Sequence, residues 1–248
     1  MMKFIDKANL PEGKVTAVIC GTDDESILSY FNRKGISVIK NAPNRSIDSA
    51  VSSHADMAAI HLGGKNIIID KNRAELESEL TGIGMKVIKS EADVSGEYPC
   101  DIGLNFAVSG ERIIGKFSCA DKALLSETVC LERLDVRQGY CKCSTLVISE
   151  NAIVTDDEGI YRVACENGVE SLLVSKGDIT LEGHSYGFIG GASGKISKNT
   201  VVFFGNIEKH RDYEKIKAFL SEHGCGYECT DAGELRDIGG IVPLTEEI

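Results

Sequence analysis

Short apolar runs and polar stretches of helical spacing alternate along the whole chain. Runs rich in β-branched residues and bounded by turn residues are typical of strands. They fall into five sets of three, which begin near Val15, Ile36 and Ala58; Asn66, Met85 and Gly103; Arg112, Val129 and Cys143; Ala152, Ser171 and Gly187; and Thr200, Gly226 and Ile238. Between the first and second run of each set, the spacing of the apolar residues predicts a helix.

The five predicted helices span residues 24–33, 72–80, 120–126, 158–166 and 208–223. The last is the clearest, because Tyr213, Ile216 and Phe219 share one face and charged residues lie opposite. Asn72 and Asp121 stand where helix N-caps are expected.

This order predicts five repeats of a strand–helix–strand–strand unit, over residues 14–63, 64–110, 111–150, 151–197 and 198–248. A period of roughly 40–50 residues is in the range of repeat architectures. The first strand of the first repeat and the last strand of the fifth are both apolar, and radial closure would shield them without polar caps. We therefore predict a single α/β domain over residues 1–248, a five-bladed α/β propeller with pseudo-fivefold symmetry. A doubly wound parallel sheet, which also alternates strands and helices, is the alternative.

Charge and composition narrow the class of partner. The chain has 248 residues and a net charge of −11, so a polyanion would be repelled and no nucleic-acid partner is expected. No apolar run approaches the roughly 20 residues that span a bilayer, so no membrane partner is expected. Residues 1–13 contain no secretory signal, and nine cysteines, an odd number, argue against a disulfide framework. We therefore expect a cytoplasmic protein.

Polar residues recur just ahead of the third strand of each repeat, where the pattern otherwise favours apolar ones. The segments are His54–Asp56, Cys100–Gly103, Gly139–Cys141, His184–Gly187 and Arg236–Gly240. In a radial repeat these segments converge, so Asp56, Asp101 and Asp237 would form a strongly negative cup. Carboxylates forced together need a cation, which could be a guanidinium held by the carboxylates or a metal ion.

Two of these segments resemble motifs of the pentein superfamily, the guanidino-group-modifying enzyme fold. His54-Ala55-Asp56 is similar to the family's His-x-Asp, and Gly239-Gly240 near the end of the chain is similar to its last Gly-Gly. The five-unit plan extends the resemblance over the whole chain, within an uncharacterised bacterial branch related to arginine and agmatine deiminases and amidinotransferases. The resemblance implies a cysteine that attacks a guanidinium carbon, a histidine that shuttles protons, and acids that hold the substrate nitrogens.

The sequence departs from that pattern at the nucleophile. Where agmatine-deiminase-like enzymes carry His-Cys after the last Gly-Gly, this chain has Val242 and Pro243, and proline cannot act as a nucleophile. One hypothesis is that catalysis has been lost and the ring binds a small molecule or a protein. The other uses the fivefold symmetry and makes Cys100 the nucleophile.

Under the second hypothesis, the enzyme would be a deiminase- or amidinotransferase-like hydrolase acting on C–N bonds of a guanidino or amine ligand. The predicted residues divide by role: Cys100, His54 and His184 would be catalytic, and Asp56, Asp101, Asp237, Asn105 and Tyr186 would bind substrate. The oligomeric state is left open.

Other signals do not lead to a cofactor or a metal. Gly187–Lys195 lacks the spacing of a phosphate-binding loop, and no dinucleotide fingerprint follows the first strand. Cys141 and Cys143 would share one face of a strand, so we interpret both as buried interior thiols. Arg112–Lys116 resembles a segment of translation initiation factor six, a pentein-like ring that binds the large ribosomal subunit, which keeps a basic protein partner open.

Overall fold

The structure is a computed structural model that describes residues 2–248, and it has a mixed α/β fold. The strands are β1 (Met2–Phe4), β2 (Lys14–Cys20), β3 (Ser37–Lys40), β4 (Ala59–Gly63), β5 (Asn66–Ile69), β6 (Lys86–Lys89), β7 (Ala107–Ser109), β8 (Arg112–Gly115), β9 (Glu132–Asp135), β10 (Thr145–Ser149), β11 (Ala152–Thr155), β12 (Glu170–Leu173), β13 (Ile179–Thr180), β14 (Ser193–Ser197), β15 (Thr200–Phe203), β16 (Gly226–Cys229), β17 (Leu235–Arg236) and β18 (Val242–Glu247). The α-helices are α1 (Glu25–Lys34), α2 (Ala55–Ala58), α3 (Ala74–Gly82), α4 (Lys122–Glu127), α5 (Glu158–Glu166) and α6 (Tyr213–Glu222). Two 3₁₀ turns cover Phe117–Cys119 and Ile207–Lys209.

One arrangement of strands occurs five times. In β4-β5-β6, β7-β8-β9, β10-β11-β12 and β14-β15-β16, the first strand is antiparallel to the second, and the second is parallel to the third. The strands β18, β2 and β3 repeat the same pairing. Each parallel pair is joined through a helix, namely α1, α3, α4, α5 or α6, because parallel neighbours need a crossover.

The pairing refines the predicted unit. The third strand of each of the first four predicted repeats pairs with the first strand of the next one through a short hairpin, as β4 does with β5, and β18 of the fifth repeat pairs with β2 of the first. The prediction of a mixed α/β fold is confirmed, whereas the doubly wound parallel sheet is not what the described residues form. The arrangement of the five sheets as blades about one axis remains a prediction.

The N-caps predicted from the sequence are found in the structure, except at Asn72. Asp24 and Asp157 accept hydrogen bonds from backbone N–H groups of the first turns of α1 and α5, which satisfies donors that a helix leaves unpaired. Asn72 is not the N-cap of α3. That position belongs to Arg73, while the Asn72 amide donates to Asp93.

The central strand of each sheet forms the core. Ile67, Ile68 and Ile69 of β5 are fully buried, and so are Ile153 and Val154 of β11. Strands covered on both faces are continuously apolar instead of alternating, which is why their sequence signal was strong. No helix within residues 2–248 is long and apolar enough to cross a membrane.

The antiparallel first strands of the sheets lie against one another. Strand β10 packs against β7 and β14, and β18 packs against β4 and β14. Turns enter these strands from the same side, so residues far apart in sequence come into contact there. Gly239 lies against His54, and the Asn105 side chain binds the backbone of Cys143.

Candidate functional site

Three side chains from two of these turns form a compact buried group. His54 and Asp56 flank the start of the short helix α2, and Cys143 lies two residues ahead of β10. One ligand atom of each residue lies within 4.8 Å of the other two. All three residues are at least 97 % buried, with relative exposures of 3, 1 and 1 %. We call His54, Asp56 and Cys143 the central cluster.

Asp237 adds a fourth polar side chain beside the central cluster. Its Oδ1 lies 3.8 Å from His54 Nδ1. The same carboxylate accepts hydrogen bonds from the backbone N–H groups of Phe188 and Gly239. These two bonds fix the orientation of the carboxylate and tie the last turn to the loop before β14.

Asn105 holds the turn that carries Cys143. Its Oδ1 accepts from the backbone N–H of Lys142 at 2.8 Å, and its Nδ2 donates to Cys143 Sγ at 3.1 Å and to the Asp56 carbonyl oxygen at 3.1 Å. The residue is fully buried. These contacts are those of a positioning residue, whereas the sequence had suggested a substrate ligand.

Burial dominates the electrostatics of the central cluster. It raises the pKa of Asp56 to about 6, although His54 and Lys142 act in the opposite direction. Burial also raises the pKa of the Cys143 thiol well above its ordinary value, and the carboxylates of Asp56 and Asp237 raise it further. Among residues 2–248, no hydrogen-bond partner is found for His54 Nδ1, and the Cys143 thiol is the hydrogen-bonding group next to the side-chain oxygens of Asp56. The resting group therefore favours a protonated thiol and has unused acceptors.

A cavity of about 180 Å³ leads from the surface to the central cluster. Its lining is Asp48, Val51, Tyr140, Cys143, Leu181, His184, Ser185, Tyr186, Phe188 and Asp237. Three aromatic rings form part of the wall: Tyr140 stacks on Phe188 with ring centroids 6.2 Å apart, and Tyr186 meets Phe188 edge-on at 5.9 Å. Aromatic faces and carboxylates together suit a cationic ligand.

The remaining acids and histidines predicted from the sequence take different places. Asp101 is buried and accepts a hydrogen bond from Tyr140 Oη at 2.7 Å, so it supports the cavity wall. Tyr186 lines the outer part of the cavity. His184 is exposed at the mouth, where its Nε2 lies 3.0 Å from Asp48 Oδ2. The structure thus brings His54, Asp56 and Asp237 together, with His184 at the entrance.

Cys100 does not join this group. It is exposed and lines a separate cavity between residues 90–95 and 118–122, to which no residue of the central cluster contributes. The fivefold symmetry indicated Cys100 because the third strand of the second repeat was expected near Gly103, whereas β7 begins at Ala107. With the observed strand starts, the residue equivalent to Cys143 is Asn105, and Cys100 lies in the irregular segment ahead of it.

Cys143 was the residue that sequence reasoning missed. The interpretation of Cys141 and Cys143 as two buried thiols on one strand face is wrong about the strand, because both precede β10. The Cys141 thiol instead contacts the Gln138 carbonyl oxygen. The useful signal was the position of the polar segment Gly139–Cys141, because the cysteine of the central cluster follows two residues later.

A second cavity, of about 520 Å³, lies at the carboxyl ends of β11 and β12. Its lining includes Asp156, Lys176, Asp212 and Lys215. Asp156 Oδ2 accepts from the backbone N–H of Ile189 at 2.8 Å, while Oδ1 has no hydrogen-bond partner among residues 2–248. Burial raises the pKa of Asp156 to about 7.

We expect loss of the ion pair between His184 and Asp48, at the mouth of the first cavity, to leave the free energy of unfolding almost unchanged. Both side chains are nearly half exposed, 44 % for His184 and 48 % for Asp48, and exposed ion pairs contribute about 0–1 kcal/mol. His184→Ala and Asp48→Asn should each shift the free energy of unfolding by less than about 1 kcal/mol in urea titrations. A larger loss in either variant would mean that the pair holds the two loops together.

The sequence and the fold were compared with known proteins. The model of the family of unknown function DUF6873 matches residues 18–242. No curated protein matches the sequence.

Solved structures with a similar fold include three enzymes. An amidinotransferase of the saxitoxin biosynthetic pathway from Microseira wollei has a TM-score of 0.60 at 9 % identity, over 95 % of this chain and 96 % of that one. An agmatine deiminase from C. jejuni has 0.54 at 12 %, over 93 and 91 %. The dimethylarginine dimethylaminohydrolase of Pseudomonas aeruginosa, complexed with citrulline, has 0.55 at 12 %, over 95 and 100 %. All are pentein proteins, so the resemblance stated from the sequence is confirmed at the level of the fold.

Proposed function

Since the chain belongs to the family of unknown function DUF6873 and has the pentein fold, we propose that it binds a guanidinium- or amine-bearing small molecule. The proposed binding site is the cavity that ends at Cys143 and Asp237. The observation that carries the proposal is the meeting of the central cluster and Asp237 at the inner end of a cavity with aromatic walls.

We also propose that the five sheets are the blades of a propeller and that the site lies at its axis. The fivefold repetition of the strand pairing supports this arrangement. So do the contacts of β10 with β7 and β14, and of β18 with β4 and β14.

The charge of the site supports a cationic ligand. Asp56 and Asp237 are both buried, and the charge of Asp237 raises the pKa of Asp56 in addition to the larger effect of burial, so a positive charge between them is favoured. A guanidinium can bind such a pair by donating several N–H groups that lie in one plane. The stacked rings of Tyr140 and Phe188 can contact the cation or its alkyl stem on the way in.

In the reaction we propose, Cys143 is the nucleophile and His54 moves the proton. Binding of the cation favours the thiolate, and the proton of the thiol passes to His54. The thiolate then bonds to the guanidinium carbon, and an amine leaves with a proton from His54. Water would later break the S–C bond and restore the thiol. The distances within the central cluster are compatible with hydrogen-bond contact after small side-chain rotations.

A catalytically silent binding protein is the second candidate. Val242 and Pro243, where relatives resembling agmatine deiminase carry His-Cys, are paired with Ile19 and Val18 in the interior of a sheet. These positions therefore have no reactive group, and catalysis would depend on Cys143 alone. Burial raises the pKa of the Cys143 thiol, so the thiol stays protonated and is a poor nucleophile when no ligand is bound.

Mass spectrometry on the intact protein separates the two candidates. We expect incubation with a panel of guanidino compounds, including arginine, agmatine and methylated arginine, to release ammonia or an amine and to leave a covalent adduct on Cys143. Cys143→Ser should abolish both signals, and Cys100→Ser should retain them because Cys100 lines another cavity.

Binding of a panel member with no product and no adduct would favour the silent binding protein. Turnover that persists in Cys143→Ser would overturn the proposed nucleophile. Absence of both binding and turnover across the panel would overturn the proposed ligand class.

We further propose a cytoplasmic location. All nine cysteines are free, and several of them, such as Cys20 and Cys225, are buried as thiols, which fits a reducing compartment.

A further inference from the structure

We propose that the central cluster of His54, Asp56 and Cys143 is also a binding site for a zinc ion. This inference needs no guanidino substrate and goes beyond the proposed function. A zinc ion in the central cluster would use the same side chains as a guanidino substrate and would therefore exclude that substrate.

The donor set fits zinc. An imidazole nitrogen, a carboxylate oxygen and a thiolate sulfur are the three donor types that zinc takes in proteins. The three atoms lie within 4.8 Å of one another. Bonds of about 2.0–2.3 Å to a tetrahedral ion place its ligands roughly 3.3–3.8 Å apart, so the group needs to contract by about 1 Å through rotations of the side chains.

The unused acceptors are an independent observation. Nδ1 of His54 is buried without a hydrogen-bond partner among the described residues, and the side-chain oxygens of Asp56 have none there beyond the Cys143 thiol itself. A buried carboxylate with so few partners is costly, and a metal ion would coordinate these lone pairs directly.

Formal charges point to a divalent ion. Ionised Asp56 and Asp237 with a Cys143 thiolate carry three negative charges, and the nearby ammonium of Lys142 offsets one of them. Asp237 Oδ1 lies 3.8 Å from His54 Nδ1, and Lys142 directly precedes Cys143 in the chain. Two negative charges remain, which Zn²⁺ balances. Binding replaces the S–H bond by an S–Zn bond and releases the proton to solvent.

The surroundings hold the ligands in place and leave one position open. Asn105 donates to Cys143 Sγ, and Gly239 contacts the His54 side chain so closely that a Cβ there would lie 2.2 Å from His54 Cβ. Such outer partners orient metal ligands. The side of Cys143 that lines the cavity gives the ion an entry path and a fourth position for water.

The test is a titration of chelator-treated full-length protein with Zn²⁺ by calorimetry, and with Co²⁺ followed by near-ultraviolet absorption. We expect one equivalent of each ion to bind, and Co²⁺ to give a thiolate charge-transfer band. Cys143→Ser should lose the band. His54→Gln and Asp56→Asn should weaken zinc binding by more than the roughly 10–100-fold typical of outer partners, and Asn105→Ala should fall within that range. Cys100→Ser, which alters a separate cavity and leaves the central cluster intact, should bind as the unchanged protein does.

Circular dichroism identifies any variant that fails to fold, and His54→Gln and Asp56→Asn then replace Cys143→Ser as the deciding variants. Absence of stoichiometric binding by the folded unchanged protein would overturn the inference. So would binding that survives in a folded Cys143→Ser or His54→Gln variant. Zinc binding with neither binding nor turnover of any guanidino compound would leave this inference standing while the proposed function failed, and binding of a guanidino compound without zinc binding would do the reverse.

Discussion

Gly239→Ala is expected to lower the free energy of unfolding by about 2–5 kcal/mol and to displace His54 from Cys143. Gly239 has φ +75°, and an added Cβ would lie 2.2 Å from His54 Cβ and 2.4 Å from His54 Cγ. A left-handed backbone costs alanine about 1–2 kcal/mol. Forcing extra volume into a packed interior adds about 1–3 kcal/mol.

Gly224→Ala is the matched control for this variant. Gly224 is also left-handed, with φ +65°, but an added Cβ there would meet nothing within 4 Å. Gly224→Ala should lower the free energy of unfolding only by the cost of a left-handed alanine, about 1–2 kcal/mol. Urea unfolding measures both free energies, and alkylation of Cys143 reports on the site. Equal losses in the two variants would show that the contact between Gly239 and His54 is not close in solution.

Asp156→Asn is expected to make the protein more stable at pH 8 and to leave it nearly unchanged at pH 4. The pKa of Asp156 is raised to about 7 in the folded protein, with burial as the main cause, against about 3.9 in the unfolded chain. The folded state therefore binds more protons than the unfolded state between about pH 4 and pH 7, and stability falls as the pH rises through that range. The full shift corresponds to at most about 4 kcal/mol, so we expect a gain of about 1–3 kcal/mol at pH 8.

The asparagine retains an oxygen that can accept from Ile189 N–H, which Asp156 Oδ2 does in the unchanged protein. Asp157→Asn is the control, because Asp157 is partly exposed and caps α5, so neutralising it removes no burial cost of this size. Urea unfolding at pH 4, 6 and 8 gives the profile. A variant that is no more stable than the unchanged protein at pH 8 would mean that Asp156 is solvated through the neighbouring cavity.

The sequence predicted the parts of the fold that depend on local patterning. Apolar runs such as Ile67–Ile69 are central strands because both faces are covered, and the helix over residues 213–222 follows from a single apolar face. Glycine and aspartate caps marked the ends of α1. Each of these signals is carried by neighbours in the chain, so one sequence is enough to identify it.

The residues at which strands begin, and the pairing of segments far apart in the chain, could be predicted less well from the sequence. Val129 looked like the start of a strand but is 74 % exposed, and β9 begins at Glu132. A late strand start in the second repeat likewise made Cys100 the expected nucleophile, whereas the cysteine of the central cluster is Cys143 in the turn before β10. The central cluster depends on contacts between turns far apart in sequence, and no local pattern records which turn residue faces the cavity.

The place of β18 in its sheet has a consequence for biosynthesis. Strand β18 lies between β1 and β2, so both strands gain this shared partner only after residues 242–247 have been synthesised. Until then β2 presents an open edge that other chains can pair with. Asp237 and Gly239 are made almost as late as β18, so a nascent chain that lacks them has no finished pocket with which to capture a small molecule or an ion. Any activity of this site would begin only after β18 has paired with β2.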